Sequence, residues 1–277
     1  MSVLRFEQEW TKVHPEKPYM LRLMRDALGT DCVEWEDLTT SNLSSVADYM
    51  DDAISQNSKF TYCAELKAFL NRYKDDGIVP CKEPSKVLKA KREPSQHIAL
   101  SEEEVMLWDA YHPWNDCEMD AKIIFMRGCL TGARYSDCIR LTVDNVRDGV
   151  LTYVSQKTKT EVKQPAHHLL MKYLEQQPSK ERKPKVLNEA IERICKRLGF
   201  NEEVTLYVRG KLRKGPKYEF IRLHSSRRSF VTNLALRNVA VPVIGTLAGQ
   251  KSPATTSRYI CIGLSNLNDD AMDFFRE

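Results

Sequence analysis

The stretch that decides the fold is TGARYSDCIRLTVDNVRDGVLTYVSQKTKTEVKQP, residues 131–165. The apolar segment AKIIFMRGCL before it predicts a buried helix, and the Thr-Gly-Ala break ends that helix and presents Arg134. The Asp-Gly pair at 148–149 is a turn signal, and residues 150–155 alternate as a strand. Residues 157–160 then form the tip of a β-hairpin. The pattern predicts a mostly helical domain with one small sheet.

The composition of the chain favours a two-domain protein. Its 277 residues carry a net charge of +4 and are long enough for two cores. The start of the chain shows no leader, and no window approaches the roughly 20 apolar residues that a membrane span needs. The eight cysteines form no C-x-x-C pair and no metal-ligand spacing with the six histidines. We expect a cytoplasmic protein with reduced thiols, no metal site and no membrane partner.

The N-terminal part predicts a small all-helical bundle over residues 1–80. Its three amphipathic patterns cover residues 18–28, 41–54 and 57–77, the last of which begins at Asn57 or Ser58 and stops at Gly77.

A proline-rich, basic segment, residues 81–97, follows and is predicted to be an extended interdomain linker. Its basic side chains are Lys82, Lys86, Lys89, Lys91 and Arg92. These side chains are either solvated or aligned along a phosphate backbone, and both interpretations stay open. The second domain, residues 98–277, begins with a helix that Ser101 and Glu104 open as a capping box.

The basic excess of the chain is concentrated between residues 205 and 228, where Glu219 is the single acidic side chain. The basic residues are Arg209, Lys211, Arg213, Lys214, Lys217, Arg222, Arg227 and Arg228. A solvated charged face is one explanation of such a run. The other is a polyanionic partner such as nucleic acid.

Five separated residues share one chemical theme: Arg134, Lys157, His224, Arg227 and Tyr259. Each alone is commonly a surface charge, a helix cap or a packing aromatic. Together they suit attack on a phosphodiester by a phenol. Two guanidiniums can bind the nonbridging oxygens and neutralise the charge of the transition state. A lysine can protonate the leaving oxygen.

The motifs TGARYSDCIRLTVDNV, QKTKTEVKQP, HSSRRSF and LAGQKSPATTSRYI resemble, in this order, the conserved boxes of the tyrosine recombinases, the family of phage and mobile-element integrases. The resemblance covers roughly residues 100–265, and the N-terminal part is only loosely similar to the family's helical core-binding domain. It implies a mainly α fold with a small antiparallel β-sheet, built from a helical core-type DNA-binding domain and a catalytic domain.

The resemblance also implies roles for individual residues. Tyr259 is expected to form a 3′-phosphotyrosine, and Lys157, chosen over Lys159 by the K-T-x-x-x-V-x-x-P pattern, to protonate the 5′-hydroxyl. Arg134 and Arg227 are expected to hold the phosphate, His224 to act beside them, and Asp137 to orient Arg134. The energy of the broken bond is kept in the covalent link, so we expect no cofactor and no metal.

Two positions depart from the family pattern. Gln250 stands where a histidine is usual, and glutamine can donate a hydrogen bond but cannot exchange a proton near neutral pH. Arg228 stands where a second histidine commonly follows the box arginine, and we interpret it as a phosphate contact or a surface charge.

The expected partner is double-stranded DNA, bound by a tetramer on two DNA sites and by a monomer or weak oligomer without DNA, in the nucleoid. The tail, residues 261–277, is predicted to dock on a neighbouring protomer or on its own domain, and we expect no extra arm-binding domain. Three alternatives remain open. They are a type IB topoisomerase, a DNA-binding protein with an inert tyrosine, and an integrase degraded at Gln250.

Overall fold

The structure, a computed structural model, describes residues 4–93, 95–208 and 211–261. The expected DNA contact Arg209 and the predicted docking segment from residue 262 onward lie outside these ranges. The described chain forms two compact units. The first runs to Ser95 and also includes the segment Tyr207–Leu212, and the second contains the remaining described residues.

The helices of the first unit agree with the predicted bundle. They are α1 (Phe6–Val13), α2 (Pro18–Leu28), α3 (Thr40–Ala53), α4 (Gln56–Leu70) and α5 (Pro84–Val87). The cap of α4 was predicted wrongly. Ser55 caps this helix by accepting a hydrogen bond from the backbone N–H of Ser58, and α4 ends before Gly77. A serine at the N-cap satisfies a free N–H of the first turn.

The core of the first unit is aromatic. The ring of Phe6 meets those of Trp35 and Phe69 edge-on, at centroid distances of 5.3 and 5.8 Å. The basic segment expected to be an extended linker contributes to this core, since Leu88 is fully buried in it. Pro84 begins α5 instead of interrupting a helix, because the first turn needs no N–H from that residue.

The second unit is built around one helix that is buried along most of its length. Its helices are α6 (Glu102–Ala110), α7 (Asp116–Thr131), α8 (Tyr135–Cys138), α9 (Leu170–Glu175), α10 (Pro184–Arg197), α11 (Leu223–Leu236), α12 (Val241–Leu247) and α13 (Pro253–Ser257). α7 is surrounded by α6, α9, α10 and α11, as expected of a helix that is apolar on nearly every side. The capping box of Ser101 and Glu104 at the start of α6 is confirmed.

The described chain also contains two small antiparallel sheets. The first contains β1 (Val146–Arg147), β2 (Val150–Val154) and β3 (Glu161–Pro165) in that order. The β2–β3 pairing runs from Val150 opposite Pro165 to Val154 opposite Glu161, so residues 155–160 form the predicted hairpin tip. The Asp-Gly turn between β1 and β2 is confirmed by positive φ angles of 49° and 74°.

The second sheet was not predicted. It pairs β4 (Glu203–Val208) with β5 (Lys211–Pro216). The alternation of apolar residues is short in β4, and in β5 the basic side chains hide the strand pattern. The mainly α fold with a small antiparallel sheet is confirmed, with this hairpin as an addition.

Candidate active site

The end of α7 places the first arginine of the site. Gly132 follows the helix with φ +65°, a left-handed conformation that favours glycine. A Cβ at this position would lie 2.4 Å from Cδ1 of Phe230 on α11, so both the backbone and the packing require glycine. The chain reverses here, and Arg134 becomes the N-cap of α8.

Arg227 lies on α11 and is only 1% exposed. Its Nη1 donates to the carbonyl oxygen of Gly132 at 2.5 Å, while its Nε and Nη2 have no hydrogen-bond partner among the described residues. Burial, followed by the nearby charge of Arg134, lowers the pKa of Arg227. A buried cation with two unpartnered donors is a site for an anion, because leaving such groups unpaired is costly.

Asp137 connects Arg134 to the hairpin. Its Oδ2 accepts from the hydroxyl of Ser155 at 3.0 Å, and its Oδ1 accepts from the backbone N–H of Gln156 at 2.9 Å. The Ser155 hydroxyl in turn accepts from Nη1 of Arg134 at 3.1 Å. The carboxylate therefore reaches Arg134 through Ser155, a residue that the sequence analysis missed because a serine after a strand carries no distinctive signal.

Lys157 lies in the turn between β2 and β3 and is exposed. No ion pair or hydrogen bond of its ammonium group to another described residue is seen. The hydrogen bonds of Asp137 fix Ser155 and Gln156 at the start of the hairpin tip, and Lys157 follows them directly. The structure therefore places Lys157 beside residues that Asp137 binds, but its ammonium group contacts no other site residue among those described.

Tyr259 meets His224 across the site. The Tyr259 hydroxyl lies 2.9 Å from Nε2 of His224, and the rings meet edge to face with centroids 5.2 Å apart. In the structure His224 lies in the first turn of α11, and Tyr259 follows the short α13.

Desolvation and nearby cations together lower the pKa of His224. Its packing against neighbouring groups, and then the guanidiniums of Arg228 and Arg227, lower its pKa to about 4. The same causes, burial and Arg228, lower the pKa of His97 to about 4. The His224 imidazole is therefore neutral at pH 7 and can accept a proton. His97 could not be identified from the sequence, because a lone histidine in a basic segment carries no signal.

Arg228 faces Tyr259. Its Nη1 donates to the carbonyl oxygen of Arg258 at 3.0 Å, and its Cζ lies 4.9 Å from the centroid of the Tyr259 ring. Arg227 lies at 5.2 Å from the same centroid. Two guanidiniums thus lie within cation–π distance of one phenol.

Gln250 is 9% exposed, and both polar atoms of its side-chain amide are buried without a hydrogen-bond partner in the described chain. Gly249 before it has φ +61°, and a Cβ there would lie 2.6 Å from Cγ2 of Val162 on β3. The Gly249 turn therefore packs closely against β3, immediately before Gln250. A buried amide with free donor and acceptor atoms is, like Arg227, complementary to a polar ligand.

The basic residues expected to contact DNA have different environments. Lys217, which is expected to contact DNA, has its ammonium group paired with Glu202 at 2.6 Å and also with Glu104. Arg222 is ion-paired with Glu192 at 3.1 Å.

The other basic side chains are accessible. Lys86 and Lys214 pair with the neighbouring Glu83 and Glu203, each at 2.8 Å, in exposed ion pairs. Arg92 and Arg213 lie 5.3 and 5.6 Å from the rings of Phe60 and Phe220. Lys82, Lys89, Lys91 and Lys211 are exposed.

Two kinds of site are not found within the described ranges. No three His, Cys, Asp or Glu side chains there gather as ligands for a metal ion. None of the helices described is long and apolar enough to cross a membrane.

Comparison with known proteins gives the family. The Phage integrase family matches residues 100–262, which is more than half of the chain. A search of curated proteins finds no match.

Solved structures share the fold at low sequence identity. A lambda integrase (75–356) dimer bound to a COC′ core site is 14% identical, with a TM-score of 0.69, over 96% of this chain and 98% of that chain. The Tn1549 transposon integrase in complex with a circular intermediate DNA is 15% identical, with a TM-score of 0.61, over 97% of both chains. XerH recombinase bound to a palindromic difH substrate is 15% identical, with a TM-score of 0.61, over 92% of this chain and 76% of that chain. This chain therefore belongs to the phage integrase family and is a tyrosine-type site-specific DNA recombinase.

Proposed function

We propose that Tyr259 is the nucleophile of this recombinase and that Arg227 is the centre of its phosphate site. The observation that supports this most is the pair of unpartnered guanidinium nitrogens of Arg227, buried within cation–π distance of the Tyr259 ring. Duplex DNA is the partner. A scissile phosphate bound there would satisfy both nitrogens and lie beside the Tyr259 hydroxyl.

Each step of the reaction exchanges one phosphodiester bond for another. The Tyr259 oxygen attacks phosphorus, the bond to the 5′-oxygen breaks, and a 3′-phosphotyrosine forms. Nε2 of the neutral His224 accepts the phenolic proton, since it already lies 2.9 Å from the hydroxyl. Lys157 donates a proton to the departing 5′-oxygen. The 5′-hydroxyl of a partner strand then attacks the phosphotyrosine, reverses these proton transfers and releases Tyr259.

Charge on the phosphate is neutralised by fixed cations. Arg227 and Arg134 bind the nonbridging oxygens, and Ser155 and Asp137 hold the Arg134 side chain in place. Gln250 donates from its unpartnered amide to the same phosphate, in place of the usual histidine. Lys157 reaches the 5′-oxygen from the hairpin tip. Bound DNA would draw this tip toward the phosphate.

The exposed basic residues support binding to the DNA backbone. We assign this role to Lys82, Lys86, Lys89, Lys91, Arg92, Lys211, Arg213 and Lys214, and the proposal extends to Arg209 from its sequence alone. Lys217 is left out because its charge is already neutralised by two carboxylates. Binding by such contacts should fall steeply as the salt concentration rises.

Domain roles and assembly are part of the same proposal. Residues 1–80 form a core-type DNA-binding domain, residues 81–97 the interdomain segment, and residues 98–277 the catalytic domain. Exchange of strands between two DNA sites takes four cuts, so four protomers act together, and a monomer or weak oligomer exists without DNA. The protein acts at the nucleoid in the cytoplasm.

A covalent trap tests the nucleophile. The chain and its Tyr259→Phe variant are incubated, in chelator, with nicked duplexes enriched from a random pool by binding to the chain, and are then denatured and run on a gel. We expect a protein–DNA adduct with the wild type alone. DNA binding by both proteins with no adduct in either would contradict the proposal.

A further inference from the structure

Three side chains at four-residue spacing on α11 contact the segment that carries Tyr259. His224, Arg228 and Thr232 lie on one face of the helix, because residues four apart are neighbours on an α-helix. Thr232 accepts from the backbone N–H of Cys261 at 3.0 Å, and its hydroxyl lies 3.4 Å from the Tyr259 carbonyl oxygen. This stripe of three residues on α11 thus contacts both the side chain of Tyr259 and the backbone of its segment.

The Tyr259 segment has little secondary structure of its own. α13 before it is five residues long, and beyond it only single turn bonds continue, such as that from the Tyr259 N–H to the Thr256 carbonyl at 2.9 Å. A helix this short is marginal without tertiary contacts. The position of the Tyr259 phenol therefore depends on its contacts with α11.

Arg228 makes the central contacts of the stripe. Its guanidinium bonds the carbonyl of Arg258, the residue before Tyr259, and lies over the tyrosine ring. The thiol of Cys261, two residues after Tyr259, donates to the Tyr259 carbonyl oxygen at 3.4 Å. Within the described ranges no carboxylate pairs with Arg228, although the cationic Arg227 is its neighbour in sequence. A surface role does not explain Arg228, because this cation has no carboxylate partner among the described residues and faces the proposed nucleophile.

We propose that Arg228 is a positioning residue for Tyr259, fixing the ring and the preceding carbonyl against α11 so that the hydroxyl stays beside the phosphate site. This inference rests on the proposed role of Tyr259 as nucleophile. It replaces the expectation that Arg228 contacts DNA phosphate. The planar guanidinium suits the task because it can bond a carbonyl and lie on an aromatic ring at the same time.

The test compares Arg228→Ala with Arg258→Ala, a matched control that removes the same charge beside Tyr259 but keeps the carbonyl that Arg228 binds. DNA affinity over a salt series, adduct formation at saturating DNA and hydrogen exchange of residues 256–261 without DNA are measured, with the enriched duplex pool as the probe. We expect Arg228→Ala to slow adduct formation about 10- to 100-fold, since small misplacements of a reacting group have effects of this size. Its DNA affinity should match that of Arg258→Ala, and exchange of residues 256–261 should become faster.

Two further variants separate the positioning role from a phosphate contact. Arg228→Gln and Arg228→Lys can both donate to the Arg258 carbonyl, so both should recover part of the adduct rate. A normal adduct rate of Arg228→Ala at saturating DNA, together with a reduced salt dependence of binding that Arg228→Lys alone restores, would overturn the proposal in favour of a phosphate contact. Faster exchange together with an adduct that survives Tyr259→Phe would refute Tyr259 as nucleophile and the positioning role with it.

Discussion

The hydroxyl of Tyr259 lies 2.9 Å from Nε2 of His224, an imidazole whose pKa is lowered to about 4 by burial and by the guanidinium of Arg228. The histidine is therefore neutral in the DNA-free protein and ready to accept the phenolic proton. A phosphate that entered the site would offset the guanidinium charges, and the pKa of His224 should rise. Titration of the His224 ring protons by NMR, with and without DNA, measures both values. A DNA-free midpoint near 6.5 would contradict this account.

Acid should destabilise the folded protein through the same histidines. The pKa values of His97 and His224 are about 4, against 6.5 for an unperturbed histidine. Between these values the unfolded chain binds more protons than the folded chain, so the free energy of unfolding decreases as pH falls from about 6.5 toward 4. Urea unfolding at a series of pH values should show a shallower decrease for a His97→Gln, His224→Gln double variant. An equally steep decrease in the double variant would show that other groups are responsible.

Gln250→Leu should change stability and activity in opposite directions. Leucine has a similar size and removes two buried polar atoms that have no partner in the described chain, so stability should rise by about 1–3 kcal/mol. The same change removes a donor to the phosphate, and adduct formation should slow by about 10²- to 10³-fold. Thermal unfolding and the covalent trap measure the two effects. Loss of stability would show that the amide has a structural partner instead.

Gln250→His restores the residue that is usual in the family at this position. It should speed adduct formation, because histidine can exchange a proton as well as donate a hydrogen bond. Single-turnover rates of the variant and the wild type give the comparison. Equal rates would mean that glutamine suffices here.

Ser155→Ala should uncouple Arg134 from Asp137. The hydroxyl that bridges their side chains is 3.1 Å from the guanidinium and 3.0 Å from the carboxylate. The other contact between the two residues is a backbone hydrogen bond from the Asp137 N–H to the Arg134 carbonyl oxygen at 2.8 Å, which the variant keeps. Adduct formation at saturating DNA should fall about 10-fold while DNA affinity changes little. Gln156→Ala, in the same turn, is the control, because it keeps the backbone N–H that bonds to Asp137, and its adduct formation should match the wild type. A similar loss in both variants would point to the hairpin as a whole.

Lys217 and Lys211 should differ in what their removal affects. Lys217→Met breaks a largely buried ion pair with Glu104 and should lower the free energy of unfolding by about 3 kcal/mol, with no effect on the salt dependence of DNA binding. Lys211→Met should leave stability unchanged and reduce that salt dependence by about one unit of slope, as expected for the loss of one phosphate contact. Chemical unfolding and binding over a salt series distinguish the two. A reduced slope for Lys217→Met would show that its ion pairs open on DNA.

The sequence predicted elements well where periodicity and turn chemistry agree. The limits of α2, the Asp-Gly turn and the hairpin tip around Lys157 follow from such local signals. The β4–β5 hairpin could not be predicted, because basic side chains on its exposed strand mask the alternation. Side-chain contacts between residues distant in the sequence could not be predicted either. Nothing local shows that Ser155 joins Arg134 to Asp137, or that Lys217 meets Glu104.

Motif order identified the candidate site residues more readily than their environments. Arg227 and Gln250 were chosen by their boxes, yet only packing shows that their polar atoms are buried without partners. The orientation of Arg228 toward Tyr259 depends on the angle between α11 and the segment after α13, which no pattern in either segment encodes.

The left-handed turn at Gly132 makes the two arginines mechanically dependent on each other. The turn leads the chain to Arg134, and its carbonyl oxygen accepts the hydrogen bond from Arg227. A side chain at Gly132 would also press on Phe230 of the helix that carries Arg227. Any substitution that shifts this turn therefore displaces both guanidiniums together, so the phosphate site proposed for them is kept or lost as a single unit.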